Sequence, residues 1–148
     1  LEIGKGKIIL EGKNLAILNF GARLDECKKA SEDLKKKGIM ISIFDARFAK
    51  PLDEKSIIEL ASNHEAIITI EEGSIGGFGS HVSKLLSDRG FFDKGLKFRS
   101  MILPDRFLDQ DTPDKMYKSA GLDCESIVEK VENVLNSNVV IAKNQSLS

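Results

Sequence analysis

Four short apolar runs, with almost no alternation between polar and apolar residues, constrain this chain more than any other feature of its sequence. The runs are Leu15 to Phe20, Ile39 to Phe44, Ala66 to Ile70 and Phe98 to Leu103. Continuous apolar stretches of this length are typical of strands that helices cover on both faces of a sheet. The sequence therefore predicts an α/β domain built on a buried, mainly parallel sheet.

Helical segments separate the four runs. Their apolar residues recur at spacings of three and four, so one face of each helix is predicted to pack inward. The inward positions are Leu24, Cys27, Ala30 and Leu34, then Ile57, Leu60 and Ala61, then Val82, Leu85 and Leu86. Gly38 ends the first helix, and Asp53 begins the second as its N-cap. Alternating strands and helices imply right-handed crossovers and a three-layer α/β/α fold.

A fifth strand and a fourth helix complete the predicted domain. Lys7 to Leu10 is expected to form a short antiparallel edge strand, which gives a mostly parallel sheet of about five strands. The last helix is predicted to start at Asp123 as N-cap and to bury Ile127, Val128, Val131 and Leu135. We expect one domain over residues 1–136 and a flexible tail over residues 137–148.

The charge balance argues against two classes of partner. There are 22 basic and 23 acidic residues, so no net field would recruit nucleic acid or an anionic membrane surface. The apolar runs are also too short to span a membrane. Cys27 and Cys124 each lie in a predicted helix without a Cys-x-x-Cys pattern, which is typical of buried reduced thiols in a cytoplasmic protein.

A glycine-rich turn follows the third apolar run and precedes a helix, which is the usual place for a phosphate-binding loop. The segment from Glu71 to Ser80 lacks the spacing of a dinucleotide or nucleotide fingerprint, and Glu71 and Glu72 would repel a phosphate. A close-packed turn is the favoured interpretation. A free-standing α/β module that binds a small anion or nucleotide at Gly76 to Ser80 stays open as the alternative.

Two carboxylates and two histidines are predicted to have ordinary rather than catalytic roles. Glu71 and Glu72 are neighbours on an extended chain and point opposite ways, so capping the glycine turn or pairing with Arg47 is favoured over acid and base catalysis. His64 and His81 lack further ligands at matched spacing, so structural or surface roles are predicted for both.

A set of charged and aromatic residues after the strands is predicted to contact other domains, since Arg and Phe displayed on rigid turns suit interface anchors. The candidates are Arg47, Phe48, Lys50, Glu71, Glu72, Phe78, Asp105, Arg106 and Phe107. Arg47 as a clamp for a carboxylate or phosphate is the alternative for that position.

Five motifs, taken together, resemble the C-terminal domain of the 1-deoxy-D-xylulose-5-phosphate synthase family. They are Ile3 to Gly6, Asp45 to Asp53, Glu71 to Ser80, Leu103 to Phe107 and Ala120 to Asp123, and the resemblance covers Leu1 to Leu135. Transketolases and the β subunits of 2-oxoacid dehydrogenases share these elements more loosely. After Phe107 the chain departs from the family, because Leu-Asp-Gln-Asp-Thr replaces the His-Gly that is often found in relatives.

The resemblance implies a bracing and dimer-supporting role rather than catalysis. In that family the full chain condenses pyruvate with D-glyceraldehyde 3-phosphate and releases carbon dioxide at thiamine diphosphate and Mg²⁺, for isoprenoid, thiamine and pyridoxal phosphate synthesis. Upstream domains hold the cofactor through a Gly-Asp-Gly motif, which this sequence lacks. The resemblance therefore implies no catalytic, cofactor or metal residue here, and it implies the upstream domains and a second copy as partners. A domain from another member of the superfamily remains the alternative.

Overall fold

The computed structural model describes residues 2–72, 77–103 and 122–136. Its strands are β1 (Lys7–Leu10), β2 (Leu15–Phe20), β3 (Ser42–Asp45), β4 (Ala66–Glu72) and β5 (Lys97–Leu103). Its α-helices are α1 (Leu24–Lys36), α2 (Glu54–Asn63), α3 (Phe78–Asp88) and α4 (residues 122–136). A single 3₁₀ turn, Phe92–Lys94, precedes β5 within this part of the chain.

The strands form one mixed sheet in the order β1-β3-β2-β4-β5. β2 is parallel to both β3 and β4, and β4 is parallel to β5. β1 is antiparallel, and its partner is β3 rather than β2, the strand that follows it along the chain. The predicted three-layer α/β fold, with a mostly parallel five-stranded sheet and one antiparallel edge strand, is confirmed.

Two apolar clusters cover the two faces of the sheet, as the lack of alternation in the strand sequences predicts. Leu15 and Ile17 lie in the cluster that includes the inner faces of α1 and α4. Ala16 and Leu18 lie in the cluster that includes the inner faces of α2 and α3. Every residue of β2 before Phe20 is buried, so this central strand is shielded by helices on both sides.

The third strand begins later in the structure than the apolar run from Ile39 predicts. Ile39 donates a backbone hydrogen bond to the Leu34 carbonyl oxygen at 2.9 Å and so completes the end of α1. The Met40 carbonyl accepts from the Lys13 N–H at 2.7 Å, and the strand ladder starts only at Ser42. The apolar run therefore includes a helix end as well as a strand.

The predicted cap of the last helix is also wrong. Residue 122 is already helical, so Asp123 lies within α4 instead of before it. The Asp123 side chain is 5% exposed, and its Oδ2 lies 3.0 Å from Nη1 of Arg23. An ion pair across the fold, which sequence spacing does not reveal, determines the position of this carboxylate. The tail predicted over residues 137–148 lies outside the described residues.

His64 has the structural role that the sequence predicts. It follows α2 as the C-cap residue; its Nδ1 lies 2.7 Å from the Leu60 carbonyl oxygen, and its Nε2 lies 2.8 Å from the Ser42 Oγ. The Gly12 N–H donates to the same Ser42 oxygen at 2.9 Å. The chain of hydrogen bonds connects the end of α2 to β3 and to the residues after β1.

No helix in the described ranges is long and apolar enough to span a membrane.

Asp53 is the N-cap of α2, as predicted, and it also holds the segment before β1. Its Oδ1 accepts from the Ser56 N–H at 3.2 Å, and its Oδ2 accepts from the Gly6 N–H at 3.0 Å. Partial burial disfavours the charged carboxylate, but these hydrogen bonds and the nearby Lys5 outweigh it and lower the pKa of Asp53 below its usual 3.8. The ionised form is therefore the form that stabilises the fold.

The Asp53→Ala variant is expected to lose about 1–2 kcal/mol of unfolding free energy at neutral pH, because two backbone N–H groups lose their acceptor. A depressed pKa gives stability that is present above the unfolded-state pKa and lost as pH falls through the folded-state pKa. The difference in unfolding free energy between the native protein and the variant, measured by urea unfolding, should therefore become smaller below about pH 4. Glu59→Ala, an exposed change on the same helix, should change the unfolding free energy at neutral pH by no more than about 0.5 kcal/mol.

Candidate functional site at the carboxyl edge of the sheet

The crossovers of the sheet diverge between β2 and β4. From β2 the chain crosses to β3 on one side, and from β3 it returns past β2 to β4 on the other. In open α/β sheets ligands bind beyond the carboxyl ends of the strands at such a point. The segments that follow β2 and β4 are therefore the first place to look for a site.

A fully buried arginine occupies one side of this position. Arg23, just before α1, is 1% exposed and is surrounded by three carboxylates. Its Nη1 lies 3.0 Å from Asp123 Oδ2 and 3.9 Å from Glu26 Oε1, and its Nε lies 3.7 Å from Glu72 Oε1. The four residues, which we call the Arg23 cluster, connect the segment after β2, the end of β4, the first turn of α1 and helix α4.

The Arg23 cluster was not predicted as a unit from the sequence. Capping of the glycine turn or pairing with Arg47 is predicted for Glu71 and Glu72, whereas the structure pairs Glu72 with Arg23. The signal available in the sequence was weak: Arg23 and Glu26 are spaced three apart at the start of a helix, whereas Glu72 and Asp123 are distant along the chain. Only the meeting of β2 with β4 and the packing of α4 bring the four side chains together.

A pair of aromatic rings occupies the other side of the same position. Phe20 at the end of β2 and Phe78 at the start of α3 stack with ring centroids 5.3 Å apart and an interplanar angle of 21°. Phe78 is 1% exposed and belongs to the cluster under α2 and α3. The place where a ligand would enter between β2 and β4 is thus filled by the domain's own side chains on both faces.

Glu71 fills the remaining position, at the start of α3. It is 2% exposed, and its Oε2 accepts a hydrogen bond from the Gly79 N–H at 2.7 Å. A carboxylate at a helix N-terminus is stabilised by the unpaired N–H groups and by the helix dipole. The predicted capping role of Glu71 is confirmed. The alternative of a small-anion site there is disfavoured, because the anion at this helix start is the protein's own carboxylate.

Gly79, in the first turn of α3, lies where there is no room for a side chain. A Cβ at this position would lie 2.4 Å from the Ser100 Oγ, 2.9 Å from the Thr69 Oγ1 and 3.1 Å from the Glu71 Oε2. Helix α3 can approach β4 and β5 this closely only because Gly79 has no side chain.

Gly79→Ala is expected to lower the unfolding free energy by about 1–3 kcal/mol, since the added methyl group overpacks a buried site. Chemical denaturation measures the change. Adding Ser100→Ala to this variant removes the nearest atom and should recover part of the loss. Ser80→Ala, an exposed change one residue further along α3, should leave the unfolding midpoint almost unchanged.

Among the predicted contact residues, three lie together on the segment that follows β3. Arg47 and Lys50 are exposed and Phe48 is half-buried. Arg47 has a φ of 60°, and the Phe48 N–H donates to the Ala46 carbonyl oxygen at 2.6 Å, so a tight three-residue turn holds the arginine at the surface. A non-glycine residue in the left-handed region is uncommon and is found preferentially at functional positions.

The other predicted contact residues are placed differently. Glu71 and Phe78 face the interior of the domain, so contact with another domain must use other residues. Glu72 is half-buried in the Arg23 cluster. Asp105, Arg106 and Phe107 lie outside the described residues.

The two thiols are buried and free, as predicted. Burial, together with the nearby Asp45, raises the pKa of Cys27 to about 12. Burial and the Asp33 carboxylate, 3.6 Å from the Cys124 sulfur, raise the pKa of Cys124 to about 11. Both groups are therefore protonated near neutral pH and are poor nucleophiles. His81 lies half-buried on α3.

The Arg23 cluster and Glu71, the described charged groups that fill this edge, do not suit thiamine diphosphate. A diphosphate with Mg²⁺ needs donors for the phosphate oxygens and oxygen ligands that are free to bind the metal. Here the Arg23 guanidinium is already shared by three carboxylates, and Glu71 occupies the helix start. Within the described part of the chain, no group of three His, Cys, Asp or Glu side chains is arranged to hold a metal ion.

Comparison with known proteins shows which family this chain belongs to. The family model described as "Transketolase, C-terminal domain" matches residues 4–127. A solved structure titled "Split gene transketolase, inactive beta4 tetramer" is similar over 92% of this chain, at 28% sequence identity and a TM-score of 0.74. This chain covers 44% of that structure's chain. A 2-oxoglutarate:ferredoxin oxidoreductase from Magnetococcus marinus matches over 81% of this chain and 20% of its own, at 11% identity and a TM-score of 0.49.

The fold and the filled crevice define an open α/β domain whose carboxyl edge is closed by its own side chains. The chain belongs to the family of transketolase C-terminal domains, because the family model covers most of its length. Membership places it among the domains of thiamine diphosphate enzymes of the transketolase type.

Proposed function

We propose that this chain is the C-terminal domain of a 1-deoxy-D-xylulose-5-phosphate synthase, and that it supports the dimer and the cofactor-binding domains without taking part in catalysis. One observation carries the proposal. Two of the motifs on which the synthase resemblance rests are in contact: the Gly6 N–H donates to Asp53, and a Cβ on Gly4 would lie 3.0 Å from the Pro51 ring. The motifs thus serve to build the domain, in line with a bracing role.

In this proposal the chemistry belongs to the parent chain. The full enzyme condenses pyruvate with D-glyceraldehyde 3-phosphate and releases carbon dioxide, using thiamine diphosphate and Mg²⁺ held by upstream domains, in cytoplasmic isoprenoid and thiamine synthesis. The upstream domains and a second copy of the chain are the partners. The exposed Arg47 and Lys50 with the half-buried Phe48 are the surface that we assign to the upstream domains. Among the described residues, Phe48 belongs to neither core cluster, which supports a contact role.

Calorimetric titration of this chain with thiamine diphosphate and Mg²⁺ tests the noncatalytic role. We expect no heat of binding, because the crevice between β2 and β4 is filled by the Arg23 cluster and the stacked phenylalanines. Tight binding that depends on Mg²⁺ would overturn the proposal. Titration with inorganic phosphate under the same conditions tests the small-anion alternative separately.

A transketolase is the second candidate, favoured by the split-gene transketolase structure at 28% identity. The two candidates differ in chemistry. The polypeptide that contains this domain and its upstream domains should release carbon dioxide from pyruvate when D-glyceraldehyde 3-phosphate is present if it is the synthase. Transfer of a two-carbon unit between sugar phosphates, without any use of pyruvate, would identify the transketolase instead.

A further inference from the structure

A cleft runs along one face of α3, beside the turn that follows β3. Its volume is about 560 Å³, and α3 lines one wall through His81, Lys84, Leu85 and Asp88. These positions lie three, four and seven residues after the first, so they form one stripe about 10 Å long on the helix. Residues 49–52 line the opposite wall. We call this feature the α3 cleft.

Part of the lining is apolar and is held in place by the core. Leu85 is 9% exposed and belongs to the cluster under α2 and α3. Ala49 and Leu52 are partly buried and pack against the same cluster. The next residue, Asp53, caps α2 and fixes the end of this wall. Such a surface suits an apolar side chain of a partner, because it loses little conformational freedom on binding.

The carboxylates that line the α3 cleft already have cationic partners. Asp88 Oδ2 lies 2.7 Å from Lys84 Nζ, and Glu54 Oε2 lies 3.8 Å from Arg89 Nη2. Their negative charge is therefore balanced within the domain, and it does not offset the other basic groups at the cleft.

Three basic side chains at the cleft have no such partner. Lys50 and His81 line it, and Arg47 lies three residues before Lys50. Among the residues that the structure describes, none of the three side chains forms an ion pair or a hydrogen bond. The tight turn at Arg47, with its φ of 60°, holds that side chain at the surface. Positive charge beside an apolar lining is complementary to a segment that carries an acidic and an apolar side chain.

We propose that the α3 cleft is the docking site for a short segment of the upstream domains in which an Asp or Glu lies beside an apolar residue. The proposal rests on the proposed function, because it takes the upstream domains as the partner, and it adds the chemistry by which they are recognised. A stripe of about 10 Å matches about three residues of extended chain. The carboxylate pairs with Lys50 and Arg47, and the apolar side chain packs against Leu52 and Leu85.

Other occupants fit the α3 cleft less well. A two-fold contact with a second copy brings the same surface of both chains together, so the unpaired basic groups would face each other and repel. Free phosphate matches the charge but leaves the apolar lining uncovered. The upstream segment satisfies both features of the cleft.

Zero-length cross-linking with a carbodiimide, followed by mass spectrometry, tests the proposal on the polypeptide that contains this domain and its upstream domains. The reagent activates a carboxylate, a contacting lysine amine forms an amide bond with it, and the carbodiimide leaves as a urea. We expect Lys50 to be joined to an Asp or Glu of the upstream domains that has an apolar neighbour. Lys50 joined to a second copy, or found in no cross-link with the upstream domains, would overturn the proposal.

The acetylation rates of single lysines provide a second measurement. Lys50 should react about tenfold more slowly in the full polypeptide than in this chain alone, because a packed contact excludes solvent. Lys55, which is exposed on α2 and does not line the α3 cleft, is the control and should react at the same rate in both. Equal rates at Lys50 in the two proteins would contradict the docking.

Charge reversal at the same two positions tests the role of the unpaired charge. In the full polypeptide, Lys50→Glu should raise the acetylation rate of Lys84, which lines the cleft, toward its value in this chain alone. Lys55→Glu should leave that rate unchanged. Both changes are at exposed positions, so both variants should fold. An unchanged rate at Lys84 in Lys50→Glu would count against the proposal.

Inorganic phosphate added to this chain alone distinguishes a free anion from the upstream segment. Protection of Lys50 by phosphate to the degree seen in the full polypeptide would identify a small-anion site and overturn the docking. None of these measurements involves thiamine diphosphate or a substrate. The calorimetric titration with thiamine diphosphate therefore decides the noncatalytic role independently of the docking result.

Discussion

Arg23→Met is expected to lower the unfolding free energy by about 3–5 kcal/mol, the usual cost of removing one partner from a buried ion pair. The guanidinium is 1% exposed and has carboxylates of Asp123, Glu72 and Glu26 within 3.9 Å. Without it, these carboxylates lose the buried cation that they share. Urea unfolding followed by circular dichroism measures the loss.

An exposed arginine on α3's C-terminal side provides the control. Arg89 is 54% exposed, and its Nη2 lies 3.8 Å from Glu54 Oε2, so Arg89→Met should cost no more than about 1 kcal/mol. If Arg23→Met proves too unstable to purify, Arg23→Lys, which keeps the charge but not the planar fork, should still be folded and clearly less stable than the native chain. Equal effects of Arg23→Met and Arg89→Met would refute the structural role of the Arg23 cluster.

Phe78→Ala is expected to cost about 3–5 kcal/mol, because a large buried ring is removed and a cavity remains. Phe78 is 1% exposed and stacks on Phe20 between β2 and α3. Thermal or chemical unfolding measures this effect, and the loss should not depend on protein concentration, because the ring faces the interior of one chain.

Phe48→Ala is the matched comparison for an aromatic residue assigned to a contact surface. Phe48 is half-buried and lies outside both core clusters, so its removal should cost this chain about 1 kcal/mol or less. The same change should weaken association with the upstream domains. A large loss of stability in this chain alone would instead show that Phe48 is a core residue.

Much of the fold could be predicted from the sequence because helix and strand periodicities are local. The inward positions of α1, α2 and α3 and the Asp53 cap follow from spacings within about one turn of a helix, and the structure confirms them. The pairing of β1 with β3, a strand that comes two later along the chain, depends on crossover geometry and could not be deduced from local patterns.

The site was harder to predict because its members meet across the fold. Glu71 was assigned both a capping role and a contact role, and only burial shows that the cap accounts for its position. The burial of Arg23 could not be predicted from the sequence, since a lone arginine at the start of a helix is usually exposed. Asp123 is of a residue type that often caps helices. Its ion pair with Arg23 accounts for its position inside α4.

The hydrogen bond from Gly6 to Asp53 has a mechanical consequence. Tension applied to the chain near Glu2 reaches the contact of Gly4 with Pro51 and then the Gly6 to Asp53 bond before it reaches the first ladder residue, Lys7. The force therefore acts on the start of α2, a helix packed on the core, and does not separate β1 from β3 one residue at a time. Movement of a segment attached there would thus be transmitted to α2 and to the exposed Arg47 turn beside it.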